Sequence, residues 1–230
     1  MTISVIIPTL NEETVLAQTL AHTSALQVGE LIVVDGGSTD HTVPTTRAFC
    51  TDVPHAQLIT APRGRARQMN EGAKASRGDV LLFLHADTQL PQDTGRVIES
   101  AFADPAVVGG RFDVRFASAS PWSRIISAFM NRRSRLTGIS TGDQALFVRR
   151  QVFEQLGGFA DIPLMEDIDF SRRLKQAGRI ATLRDTVTTS FRRWETQGPL
   201  RTILLMWTLR FLYWAGVSPD RLQHFYVAIR

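Results

Sequence analysis

Arg77-Gly-Asp-Val-Leu-Leu-Phe-Leu-His-Ala-Asp-Thr-Gln-Leu-Pro91 is the stretch that decides how this chain reads. A Gly-Asp turn opens it, five apolar residues run from Val80 to Leu84, and the run breaks off at His85-Ala86-Asp87. A continuous apolar run bounded by turn residues describes a strand buried on both faces. Asp87 then stands just beyond the strand's carboxyl end, where open α/β sheets bind ligands. A lone Asp in that place also serves as an Asx cap before a proline. The flanking sequence must therefore decide.

Upstream, three more short apolar runs repeat the pattern: Ile3–Ile7, Leu31–Val34 and Leu58–Thr60. Helices are predicted between them. Asn11-Glu12-Glu13 offers an N-cap and acidic first turn for a helix on which Leu16 and Leu20 share a face. Thr42–Phe49 is read as the second helix, with Pro44 tolerated in its first turn. The third opens with Arg63-Gly64-Arg65-Ala66-Arg67 and presents Ala66, Met69 and Ala73 on one side. Cations at a helix start oppose the macrodipole, which points to a functional reason for them. Four alternations of strand and helix predict a parallel, doubly wound sheet.

Downstream the pattern changes. Pro91–Ala103 and Trp122–Met130 read as helices, and the latter runs into Arg132-Arg133-Ser134-Arg135. Arg111–Phe116 alternates strictly, which predicts a half-exposed strand, antiparallel rather than central. Gln144–Val148 reads as a further strand and Gly157-Gly158-Phe159 as a turn. Pro163–Ala177 carries the second acidic cluster, Glu166-Asp167-Ile168-Asp169. At about 100° per residue, Glu166 and Asp167 project near the stripe of Phe170, Leu174 and Ala177. A carboxylate held there in a cleft is partly desolvated, which makes it a usable base.

Composition bounds the reading. A chain of 230 residues, 43% hydrophobic, can bury one large core, and no repeat or linker divides it. The single cysteine, Cys50, allows no internal disulfide, as in a reducing compartment. Among 26 basic residues only Lys74 and Lys175 are lysines, so the net charge of +4 is carried by guanidinium groups suited to phosphate. They are scattered rather than interleaved with aromatics in one stripe, so no nucleic-acid partner is expected. Met1-Thr2 leads straight into a strand without a basic leader, so a cytoplasmic protein is expected.

Four groups follow the four parallel strands and share one sheet edge: Pro8-Thr9-Leu10-Asn11-Glu12, Asp35, Arg63–Arg67 and His85-Ala86-Asp87. An acid after the second strand suits a ribose or base edge, and the arginines suit phosphate. Asp87 suits a divalent cation completed by substrate phosphates and water. His85 reads either as a satisfied strand-end histidine or as a second metal ligand.

The ordered set of Pro-Thr-Leu-Asn-Glu-Glu, Val-Val-Asp-Gly-Gly-Ser-Thr-Asp, Arg-Gly-Arg-Ala-Arg-Gln-Met-Asn-Glu-Gly-Ala, Leu-His-Ala-Asp, Gly-Gly-Phe and Met-Glu-Asp-Ile-Asp resembles family 2 glycosyltransferases of GT-A type over Ile3–Trp194. Among these it is similar to small bacterial enzymes labelled arsenosugar-biosynthesis-type or radical-SAM-associated. The resemblance implies an α/β, Rossmann-like GT-A sheet, mostly parallel with an antiparallel acceptor-side part and helices on both faces. It implies one domain over 1–230: a nucleotide-binding half (1–90), an acceptor-side half (91–195) and a C-terminal helical segment (196–230).

It also implies a metal-dependent, inverting transfer from a nucleotide-diphosphate sugar to an acceptor hydroxyl. Thr9, Glu12 and Asp35 would contact the nucleoside, with Pro8, Asn11, Ala86, Arg63, Gly64 and Arg67 around it. Asp87 would hold Mg²⁺ or Mn²⁺. Asp167 would be the base and Glu166 its neighbour. Two departures stand out. His85 replaces the first acid of the family's Asp-x-Asp motif, and Ser190 replaces the Gln of a Gln-x-x-Arg-Trp motif ending at Arg193-Trp194. The second departure argues against processive synthesis.

Leu200–Val217 approaches a membrane span in length, but Arg201 and Arg210 interrupt it. Leu204, Trp207, Phe211 and Trp214 fall on one side, and Leu205, Leu209 and Leu212 on the other. One side can cover the domain. The other predicts a homodimer contact or shallow attachment to the inner face of the membrane, helped by Arg132–Arg135. Two rivals stand beside the transferase. A sugar-phosphate nucleotidyltransferase wants a glycine-rich basic loop after the first strand, which Pro8–Glu12 lacks. A degenerate nucleotide- or membrane-binding protein would keep the basic and apolar segments alone.

Overall fold

The structure, a computed structural model, describes residues 1–26 and 28–229, and the side chains of all of these except 227–229. Four strands come first: β1 (Ile3–Thr9), β2 (Glu30–Asp35), β3 (Ala56–Thr60) and β4 (Val80–Phe83). They lie in the order β3-β2-β1-β4 and are all parallel. Helices α1 (Leu16–Ser24), α2 (Thr42–Asp52) and α3 (Arg65–Ala75) make the crossovers. This is the doubly wound half that the alternation of strand and helix predicts.

The continuous apolar strands fill both faces. Val5, Ile7, Leu31, Val33 and Leu82 enter one core cluster, and Ile6, Ile32, Val34, Leu81 and Phe83 the other. Successive side chains of a strand point to opposite faces, so an unbroken apolar run is what two-sided burial demands. The α3 backbone comes very close to the sheet. A Cβ on Gly72 would lie 2.4 Å from Ile6 Cγ2, which explains the small residues of this helix.

The second half adds β5 (Thr88–Gln89), α4 (Thr94–Phe102), β6 (Val107–Phe116) and α5 (Pro121–Thr137). A 3-10 turn (Gly142–Gln144), β7 (Phe147–Arg149) and α6 (Arg150–Gln155) follow. Then come α7 (Glu166–Ala177), β8 (Arg179–Thr189), α8 (Arg192–Gln197), α9 (Pro199–Trp214) and α10 (Pro219–Ile229). The sheet continues from β4 as β7-β6-β8-β5. β7 is antiparallel to β4 and β6, β8 runs parallel to β6, and β5 pairs antiparallel with β8. The architecture is α/β, mostly parallel, with helices around a mixed sheet. Arg230 of the 196–230 segment lies outside the described residues.

Several local expectations need correction. The Arg111–Phe116 strand is internal, and of β6 only Arg115 is exposed. Its polar positions are buried because Arg111 is paired with Asp113, which also takes Arg135. Neutralised in this way, charged residues can occupy an interior that alternation alone assigns to solvent. Gln144 sits in the 3-10 turn, and only Phe147–Arg149 is strand. Asn11, Glu12 and Glu13 do not open α1, which begins at Leu16. Their polar atoms serve the neighbouring loop instead. β8 has no clear apolar rhythm and is placed by its pairing with β6.

Candidate active site

The loops after β1 and β2 are clamped to one another. Asn11 N donates to Ser38 Oγ at 2.9 Å, and Asn11 Oδ1 accepts from Thr39 N at 2.8 Å. Glu13 Oε2 accepts from His41 N at 2.9 Å. Asn11 holds a φ of 56°, a left-handed conformation that Asn tolerates better than most residues. Gln68 of α3 braces the same edge, donating to both Thr9 O and Val34 O at 2.8 Å. Asp35 is buried and accepts from Gly37 N (2.9 Å) and Ser38 N (3.0 Å) through Oδ2. Its Oδ1 is buried with no partner. A buried carboxylate oxygen left unpaired is costly unless something donates to it.

β4 delivers the next group. Ala86 O accepts from Thr19 Oγ1 at 2.7 Å, fixing the turn against α1. Asp87 Oδ1 meets Thr189 Oγ1 at 3.3 Å, so the short β5–β8 pairing sets this carboxylate. Burial, then the charge of Asp87, push the Glu12 carboxyl above its usual range, while Arg192 at 3.4 Å pulls it down. His85 Nδ1 lies 3.1 Å from Asp143 Oδ1, and its Nε2 is buried without a partner.

The acidic pair arrives from the far end of the chain. Met165, at φ 71°, turns the backbone into α7 and presents Glu166 and Asp167 at its first turn. Strained non-glycine backbone of this kind concentrates at functional sites. Glu166 is buried beneath Arg65, whose Nε lies 3.6 Å from Oε1. Burial, then the charge of Asp167, raise the Glu166 carboxyl, with Arg65 opposing. Asp167 is half-buried and accepts from Gly142 N at 2.9 Å and from Ile168 N at 2.7 Å.

Gly142 has no room for a side chain. A Cβ there would lie 2.1 Å from Arg65 Nη2 and 2.3 Å from His85 Nε2. Asp143 beside it is an ionised partner. Burial works against its charge, but the His85 hydrogen bond and the His85, Arg65 and Arg193 charges bring its pKa down to about 2.

Pro8, Arg65, His85, Gly142, Glu166 and Asp167 therefore line one small cavity. Asn11, Glu12 and Asp35 lie along the strand-end edge from which Pro8 reaches into it, and Asp87 follows His85 there. Arg63 is exposed, and Arg67 turns away to Asp161 at 2.7 Å. Sequence reading placed the Arg63–Arg67 segment at this edge without singling out Arg65, and it passed over Gln68, Gly142 and Asp143. Only the opposed macrodipole at the start of α3 signalled that one of its arginines had another task. No three His, Cys, Asp or Glu side chains converge as a ligand cage among the described residues. Magnesium and manganese ions do not need one, because one or two carboxylates suffice when substrate phosphates and water complete the shell. Asp87 with Glu12 nearby fits that donor set.

The description Glycosyl transferase family 2 matches residues 4–157. The chain belongs to that family. It is 32% identical over 159 residues to an undecaprenyl-phosphate 4-deoxy-4-formamido-L-arabinose transferase of Pseudomonas paraeruginosa, covering 64% of this chain and 46% of the relative. It is 26% identical over 185 residues to a beta-monoglucosyldiacylglycerol synthase of Synechocystis, covering 71% and 38%. The chain thus spans less than half the length of these two curated relatives. Among solved structures, the mannosyltransferase PcManGT of Pyrobaculum calidifontis, in complex with GDP-Man and Mn²⁺, superposes with a TM-score of 0.68 at 21% identity. That match covers 99% of this chain and 69% of the other. S. aureus TarS 1–349 with UDP-GlcNAc gives 0.67 at 19% identity, covering 83% and 58%. These likenesses show a shared fold.

Proposed function

We propose that the chain is a single transferase domain that moves a sugar from a nucleotide-diphosphate donor to an acceptor hydroxyl, with inversion. The observation that carries this is the convergence of Arg65, His85, Glu166 and Asp167, from three distant segments, on one cavity at the strand-end edge. Family membership and the GT-A likeness support the donor class. Asp35, with its unpaired buried oxygen, receives a nucleoside hydroxyl or amide. Arg65 sits where a diphosphate oxygen can share its guanidinium with Glu166.

Asp167 is the base. The two backbone N–H groups fix its carboxylate, and each oxygen keeps a second acceptor position. It takes the acceptor hydroxyl's proton as that oxygen bonds to the anomeric carbon, and the bond from that carbon to the diphosphate oxygen breaks. Attack opposite the leaving group inverts the centre. Asp87, with Glu12 beside it, would hold Mg²⁺ or Mn²⁺, which would supply Lewis-acid stabilisation of diphosphate charge. Positioning and fixed charge supply the rest of the acceleration. Ser190 in place of the polymerases' Gln supports a single transfer rather than a processive one, and a cytoplasmic setting supplies the donor.

Titration of UDP- and GDP-sugars with and without Mn²⁺, followed by donor hydrolysis, tests this reading. Metal-enhanced binding and slow release of the nucleoside diphosphate are expected. A protein that binds no nucleotide in either condition would sink it.

A further inference from the structure

A second cavity, of about 320 Å³, shares α7 with the first, on an adjacent face of that helix. Arg133 of α5, Arg172 of α7 and Arg210 of α9 line it, with Ile168, Tyr213 and Trp214. α7 is the shared wall: Asp167 faces the catalytic cavity and the next residue, Ile168, faces this one. Such a volume is at the lower end of ligand pockets, about 300–1,000 Å³.

Its polar groups are not satisfied from within. Nε and Nη2 of Arg133 are buried and have no hydrogen-bond partner. Arg172 takes part in no ion pair among the described residues. Buried guanidinium N–H groups without acceptors are costly, and three arginines on the wall of one cavity supply the kind of side chain suited to the several oxygens of a phosphoryl group.

The surface leading away from this cavity is apolar. On α9, Leu200, Leu204, Trp207, Phe211 and Trp214 share one exposed face, Trp207 being 54% and Trp214 73% exposed. On α5, Ile125 and Phe129 are exposed, and Phe129 meets Trp207 at 5.7 Å between ring centroids, which joins the two helices into one strip. Neither helix contains an acidic residue, while α5 carries Arg124, Arg132, Arg133 and Arg135 and α9 carries Arg201 and Arg210. No helix of the described residues is long and apolar enough to cross a membrane. An apolar face rimmed by cations is the pattern of a helix lying in an anionic bilayer surface.

We propose that this cavity is the acceptor subsite and that the acceptor is an anionic lipid whose phosphodiester head group carries a free hydroxyl. The phosphoryl group sits among Arg133, Arg172 and Arg210. The lipid's apolar chains remain in the bilayer against the Trp207–Trp214 face, and the head-group hydroxyl reaches past Ile168 to Asp167. This names the acceptor class of the proposed transferase and rests on that reading.

The test is cosedimentation of the full chain with vesicles of phosphatidylcholine alone or mixed with phosphatidylglycerol, followed by extraction of the lipid phase for transferred sugar. Binding only to the mixed vesicles is expected. Arg172→Gln, at an exposed position that leaves packing intact, should weaken it roughly fivefold, and Arg133→Gln by a similar or larger factor. Arg47→Gln on α2 removes the same charge elsewhere and should leave vesicle binding close to that of the unsubstituted chain. Equal losses for Arg172→Gln and Arg47→Gln would reduce the effect to diffuse charge and overturn the subsite. Vesicle-blind protein that nonetheless binds soluble glycerol phosphate would overturn the lipid assignment. So would a dimer that buries the Trp207 face and prevents vesicle binding. Nucleotide titration without lipid reads the transferase proposal separately, so the two can fail independently.

Discussion

The edge proposed to hold the donor and the side proposed to hold the acceptor treat polar groups in opposite ways. At the donor edge, Asn11, Glu13, Asp35 and Gln68 spend most of their hydrogen-bonding capacity on neighbouring backbone, and a single buried oxygen, Asp35 Oδ1, is left over. On the acceptor side, Arg133 keeps unpaired N–H groups, and α9 keeps a row of large apolar side chains in water. A self-satisfied network holds a shape before its ligand arrives, which lowers the cost of binding a small, invariant group. An unsatisfied surface signals that part of its environment comes from outside the chain.

The comparison is broken most severely at Asp167, which stands between the two regions. Asp167→Asn keeps the size and one of the two backbone hydrogen bonds, because its amide nitrogen cannot accept, and it cannot take a proton. Transfer should fall about 10²–10⁴-fold while nucleotide binding, read by titration, persists. Loss of nucleotide binding instead would make the acidic pair a structural element of the donor edge.

Asp87→Ala tests the donor side alone. The manganese-dependent part of nucleotide binding should disappear, and turnover should drop by roughly 10²-fold, the scale of one lost charge-stabilising group. His85→Ala should cost less. Equal losses would make His85 Nε2 a ligand in its own right.

Two leucines on α9 sharpen the contrast within one helix. Leu209 is 1% exposed and packs with Met165 and Leu222, so Leu209→Ala should cost about 2–5 kcal/mol in denaturant unfolding. Leu204 is 67% exposed, and Leu204→Ala should stay within about 0.5 kcal/mol. Similar costs would mean that the exposed face is packed against something in solution.

Two carboxylates give smaller, pH-dependent effects of opposite sign. The folded Glu166 carboxyl is raised, so the folded state holds its proton to higher pH than the unfolded chain does. Ionising it therefore costs stability, and that cost grows as pH rises from the ordinary Glu range through the raised value. Glu166→Gln should melt at the same temperature as the unsubstituted chain at low pH and slightly higher at neutral pH. Asp143 is the reverse case, lowered to about 2 from 3.8. Its contribution is present above pH 4 or so and is lost as pH falls towards about 2. An Asp143→Asn variant that keeps the acid sensitivity of the unsubstituted chain would remove Asp143 from the account.

The sequence by itself determined the parallel half. Unbroken apolar runs such as Val80–Leu84 can be satisfied only by burial on both faces, and the residue after each run must then lie at the common edge. Asp35 and Asp87 were legible for that reason. The face of α9 that packs inward was also legible, at least as one of two, because helical periodicity separates Leu205 and Leu209 from Leu204 and Trp207.

Tertiary structure decided what depended on partners far along the chain. β6 became internal only because Arg111 meets Asp113, a pairing that alternation does not encode. Arg65 rather than Arg63 or Arg67 lines the first cavity because Glu166 lies opposite it, 101 positions further along the chain. Gly142 matters because Arg65 and His85 leave no space for a Cβ. The arginine cavity draws one arginine from each of three helices, so no local window of sequence could hold it. Strand periodicity is a local consequence of backbone geometry, whereas a site is a coincidence of side chains that only the closed fold brings within a few ångströms.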